Sequence, residues 1–141
     1  MILTRYGVLT ASPPGVALPV MASRIAAGFP SPADDFIESH LDLNEFLVSH
    51  PAATIFAWAQ GESLSGIGVG DGDLLVIDRA ADHRQGAVVV AAIDGELTCK
   101  ILDKRQSRLL TANPNYPPID IKGREDIVIE GVVTYCIKKL G

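Results

Sequence analysis

The 141-residue chain reads as a small all-β domain of twisted antiparallel strands, with one short helix and an extended N-terminal arm. Three observations predict this. Apolar runs rich in Val, Ile, Thr and aromatic residues recur from Ala53 onward, each bounded by Gly, Asp, Asn or Pro. Prolines and glycines interrupt the first forty residues in S-P-P-G, L-P-V and G-F-P-S-P. A single acidic capping pattern stands between the two regions.

Taken in order, residues 1–40 are expected as an arm, because that density of Pro and Gly precludes a continuous helix or central strand. Asp42, followed by Leu43-Asn44-Glu45, has an N-cap carboxylate with a second one three residues on. It predicts a helix of about two turns over L-N-E-F-L-V-S-H, stopped by Pro51. Residues 41–141 then form the folded domain. Its strands are predicted over T-I-F-A-W-A, D-L-L-V-I-D, G-A-V-V-V-A-A-I, G-E-L-T-C-K-I-L, R-L-L-T-A and D-I-V-I-E-G-V-V-T-Y-C-I. Asp94-Gly95, between two of these runs, is a type I′ hairpin signal.

Composition narrows the function. Hydrophobic residues make up 48% and charged residues 21%, the balance of a folded chain of one domain. A net charge of −5 argues against direct nucleic-acid binding, which needs clustered Lys and Arg. Cys99 and Cys136 both lie in apolar β-branched runs and are expected as buried free thiols. The start M-I-L-T-R-Y-G-V-L-T lacks a signal-peptide layout, and no apolar run approaches the ~20 residues of a membrane span. A cytoplasmic chain without membrane contact is the expectation.

Several motifs invite chemistry and fail. Ser63 lies in A-Q-G-E-S-L-S-G, but a G-x-S-x-G elbow needs glycine where Ser65 stands. His40, His50 and His83 have no triad spacing and are expected as solvated surface residues. G-I-G-V-G-D-G-D, residues 66–73, matches neither a phosphate loop nor a calcium loop, and reads as a turn entering L-L-V-I-D. No spacing among the cysteines and histidines fits a metal, and no cofactor is implied. Lys100 differs. Strand alternation puts it with Glu96, Thr98 and Leu102 on one face, opposite Leu97, Cys99 and Ile101. A lysine on a strand is usually solvated at its tip, whereas a desolvated one can act as a general base toward a hydroxyl. Spacing leaves both roles open.

Four stretches together resemble the LexA-like self-cleaving serine peptidases: A-G-F-P-S-P-A-D-D-F, D-L-N-E-F-L-V-S-H-P, G-E-S-L followed by D-G-D-L-L-V-I-D, and D-G-E-L-T-C-K. A-N-P-N-Y-P-P-I is similar to that family's Asn-Tyr-Pro segment. The likeness runs from about Ala27 to Cys136. It implies Ser63 as nucleophile, Lys100 as general base and Ala27-Gly28 as the bond cut, with backbone N–H groups at Gly61-Glu62-Ser63 holding the oxyanion. It also implies a homodimer, stimulation by RecA on single-stranded DNA, and a product that joins a UmuC-like subunit as an error-prone translesion polymerase. Residues 1–27 are too few for a helix-turn-helix, so a repressor with its own DNA-binding half is not expected. The family often has Met where Leu64 stands, a change that keeps volume, and Ile101 replaces a basic residue found after the lysine in some members. The alternative is a non-catalytic β-rich dimerisation or binding module that regulates a polymerase or transcription, with Ser63 a turn residue and Lys100 a surface one.

Overall fold

The structure, a computed structural model, describes residues 2–8, 15–21 and 37–141. Its strands are β1 (Ile2–Val8), β2 (Ala17–Met21), β3 (Ile37–Asp42), β4 (Thr54–Gln60), β5 (Leu74–Asp78), β6 (Val88–Ile93), β7 (Glu96–Asp103), β8 (Arg108–Leu110), β9 (Ile119–Asp120) and β10 (Val128–Ile137). The fold is mainly β, and among the described residues every pairing is antiparallel. Eight strands form one sheet in the order β1-β4-β5-β10-β6-β7-β8-β9, and an added β1–β7 contact at Ile2 and Thr98 brings the sheet back on itself. β2 and β3 form a separate hairpin.

All six strands predicted from Ala53 onward are present. β6 and β7 are joined at Asp94-Gly95, whose φ values of 50° and 80° are those of the predicted type I′ turn. The continuous apolar run of β6 has a packing reason: Val90 and Val89 enter different core clusters, one with Leu64, Leu75, Ile77 and Cys99, the other with Leu102, Leu109 and Val132. A strand buried on both faces has no polar alternation. β7 divides in the same way, with Cys99 in the first cluster and Leu102 in the second, as its alternation predicts.

Three expectations are corrected. The helix α1 (Leu43–Leu47) has five residues and not two full turns. Asp42 does cap it, its carboxylate accepting from the Asn44 and Glu45 N–H groups, but the chain leaves the helix at Val48, whose side chain is buried in place of continuing the turn. Second, Cys136 is exposed, as are the neighbouring last residues of β10; Cys99 is buried, and both thiols are free. Third, within the segment expected as an arm, Ile2–Val8 pairs along β4 from Ile2–Gln60 to Val8–Ile55. This strand lies ahead of the Pro-rich stretch that dominated the sequence pattern.

Candidate active site

β4 carries the chain into a bend at Gly61, whose φ of 103° suits glycine alone. The loop that follows is tied at its base. Asp71 accepts from the Gly61 N–H at 2.9 Å, Gly72 N donates to the Ala59 carbonyl at 2.9 Å, and Ala59 N donates to the Asp73 carbonyl at 2.8 Å. The acidic turn before β5 therefore closes the loop that presents Ser63. The Gly61 N–H is thereby engaged, which corrects its expected place among oxyanion donors.

Ser63 is 1% exposed, and its neighbour Leu64 anchors the turn in the first core cluster. The segment after β8 holds the turn from the other side. Ala112 N donates to the Ser63 carbonyl at 2.8 Å, and Gly66 N donates to the Ala112 carbonyl at 2.8 Å. A Cβ at position 66 would stand 2.3 Å from that carbonyl oxygen, so only glycine permits this approach. Asn113 adds side-chain bonds from Nδ2 to the Glu62 carbonyl, at 3.0 Å, and to Ser65 Oγ, at 3.4 Å.

Lys100 reaches the turn from β7. It stands where that strand's edge passes from the β1 contact at Thr98 to the β8 pairing that begins at Ile101. Its side chain is 7% exposed, so the solvated-tip role does not apply. Nζ lies 3.4 Å from Ser63 Oγ and 3.4 Å from the Cys99 carbonyl. The Cys99 thiol beside it is pushed up to about 12 by burial and is no competing nucleophile. Thr98 Oγ1, two residues back on the Lys100 face, is buried without a hydrogen-bond partner among the described residues.

The remaining candidates fall away from this point. His50 precedes β4, while Ser63 follows it; its Nδ1 meets Asp78 at 2.7 Å, so it is an anchored residue and not simply a solvated one. His83 lines an open loop cleft with Arg84, Gln85 and Lys104, and His40 is exposed in the β2–β3 hairpin. Residues 66–73 form the expected turn into β5. Asp73 is its strongest anchor. Burial works to raise its carboxyl, but the Lys138 ammonium, the Gly70 N–H and the Cys136 thiol together hold it below the ordinary carboxylate value. Ala27 and Gly28 lie outside the described residues.

The sequence singles out Ser63 and Lys100 as candidates but not Asp71, Ala112 or Asn113. The Asn113 contacts span 48 and 51 residues, and no local period points across such a distance. The quoted N-P-N-Y-P segment was the one available signal.

A buried serine with a lysine amine in reach, on a small antiparallel sheet, is the arrangement that a serine-lysine hydrolase would require. The chain belongs to the Peptidase S24-like family, whose profile matches residues 19–134. Within it the chain is similar to Protein ImpA of Salmonella typhimurium, 47% identical over 121 residues that cover 86% of this chain and 83% of the relative. Protein SamA of the same species is 45% identical over 86% of this chain and 85% of its own. These are UmuD-like SOS mutagenesis proteins. LexA repressor of Xylella fastidiosa is 40% identical over 84% of this chain but only 56% of its own length.

Proposed function

We propose that the protein is a self-cleaving SOS-response factor that cuts its own Ala27-Gly28 bond with Ser63 as nucleophile and Lys100 as general base. The observation that carries this is the 3.4 Å approach of Lys100 Nζ to Ser63 Oγ with both side chains withdrawn from water. It is a long contact, of the kind that tightens once substrate fills the site. The neutral amine takes the proton of Ser63 Oγ as that oxygen attacks the Ala27 carbonyl. The proton then passes to the Gly28 nitrogen as it leaves, and water, activated by the same amine, releases the Ala27 carboxylate from the serine ester. Small residues at the bond let a closed site approach the backbone, and Pro30 and Pro32 favour an extended chain beyond it. Within the expected arm, the stretch around Ala27-Gly28 is thus the substrate, and residues 41–141, with Ile2–Val8 paired along β4, form the peptidase. Tethering replaces bimolecular capture by a high local concentration, so control rests on whether the arm docks.

The same proposal takes the protein to be a cytoplasmic homodimer, stimulated by RecA on single-stranded DNA, whose processed form serves a UmuC-like translesion polymerase. Kinship with UmuD-like relatives supports it, and the buried pair weighs against a purely structural binding module. Incubation with RecA, single-stranded DNA and ATP, followed by intact-mass measurement, tests it. The expected species runs from Gly28 to Gly141. An unchanged mass, or a cut elsewhere, overturns the assignment.

A further inference from the structure

Beside the nucleophile turn, the Asn113 side chain is fixed in orientation at both ends. Asn113 Oδ1 accepts from the Asn115 N–H at 3.0 Å, which commits the oxygen to its own turn and leaves Nδ2 facing the nucleophile loop. Nδ2 then donates to the Glu62 carbonyl, which also accepts from Ser65 N at 3.1 Å, and it contacts Ser65 Oγ. Glu62 and Ser65 bracket Ser63 and Leu64, so one amide grips the bend on both sides of the nucleophile. Pro114 restricts Asn113 to extended backbone. Thr111 Oγ1 reaches the Asn113 carbonyl at 3.1 Å and the Tyr116 carbonyl at 2.6 Å, closing the loop behind it.

We propose that Asn113 is a positioning residue for the self-cleavage reaction: its side-chain amide, held by the Asn115 N–H, sets the distance between Ser63 Oγ and Lys100 Nζ. It touches neither reacting group. The backbone bonds of Ala112 to Ser63 and Gly66 keep the turn folded without it, whereas the final placement of Oγ depends on the Glu62–Ser65 frame. This role rests on Ser63 being the nucleophile.

Asn113→Asp is the informative variant. It keeps size and the bond to Asn115 N, but turns an acceptor toward the Glu62 carbonyl and Ser65 Oγ. Spontaneous cleavage of the full chain is followed by intact mass from neutral to alkaline pH. A misplacement of the order of 1 Å costs about a hundredfold. The expected result is a plateau rate ten- to a hundredfold below wild type, with the midpoint on the pH axis unmoved and the melting temperature well above that of the assay. Asn113→Ala, which removes the donor without repulsion, gives a smaller loss and serves if the aspartate variant does not fold. A folded variant that cleaves at the wild-type plateau overturns the positioning role and leaves the nucleophile assignment intact. If wild type itself never cleaves, the nucleophile assignment fails and the positioning role falls with it.

Discussion

The amine nitrogen of Lys100 lies 3.4 Å from the hydroxyl oxygen of Ser63 across 37 residues of chain, with neither side chain more than 7% exposed. The proposed nucleophile sits on a loop stapled by two other segments, and the proposed base sits on a strand buried on both faces. Neither can move far without breaking core contacts, so the pair is preorganised before any substrate arrives.

Substitution of either member therefore has a sharp expected outcome. Ser63→Ala removes the nucleophile, and Lys100→Arg replaces a deprotonatable amine by a guanidinium that stays protonated. Both abolish cleavage at every pH at which the chain remains folded. In wild type the amine accepts the Ser63 proton, and spontaneous cleavage proceeds. Time courses read by mass spectrometry check this. Cleavage by Lys100→Arg at the wild-type rate would reduce Lys100 to a bystander.

At the bond itself, Gly28→Trp places a bulky side chain beside the carbonyl that Ser63 must reach. Cleavage is blocked while the thermal unfolding of the domain is unchanged, because position 28 belongs neither to β1 nor to residues 41–141. A Gly28→Trp chain processed at the wild-type rate would move the scissile bond elsewhere.

Leu64 separates packing from chemistry. It is fully buried in the first core cluster, next to the nucleophile. Leu64→Met conserves volume and costs less than about 1.5 kcal/mol, with cleavage retained. Leu64→Ala leaves a cavity and costs about 2–5 kcal/mol in urea unfolding. A neutral Leu64→Ala would mean the turn is not anchored through this side chain.

The strands were legible because each run carries its own boundary residues, and Asp94-Gly95 signals its turn locally. Ser63 and Lys100 were legible only through the likeness of several motifs at once, since alternation on β7 leaves Lys100 equally fit for solvent. The staples were not legible. Asp71 looked like a turn residue, and it is one, but its carboxylate also holds Gly61 ten residues earlier. Ala112 acts through its backbone, which no side-chain pattern encodes. The helix ended early because Val48 is drawn into the interior, a tertiary effect that the capping pattern at Asp42 does not contain.

Asp73 and Lys138 give the last prediction. Lys138 lies just beyond β10 and bonds the buried Asp73 carboxylate, which also caps Gly70 at the base of the nucleophile loop. Burial opposes ionisation of Asp73, but its three hydrogen-bond partners keep the folded-state value below the ordinary ~3.9 of a carboxylate. That contribution to stability is present above ~3.9 and is lost as pH falls through the lower folded value. The Asp73 bond raises Lys138, so its contribution is present below the ordinary ~10.4 and is lost as pH rises through the higher folded value. Lys138→Met removes the pair. The variant is therefore less stable than wild type by a constant margin between about pH 5 and 9, and the margin closes toward both extremes. Lys138 is 45% exposed, so solvent screening keeps the effect to a melting-temperature difference of a few degrees. Paired urea titrations across pH read the margin. A deficit that persists undiminished into acid and alkali would show that the Lys138 stem acts by packing and that its charge is not what ties the chain end to the loop.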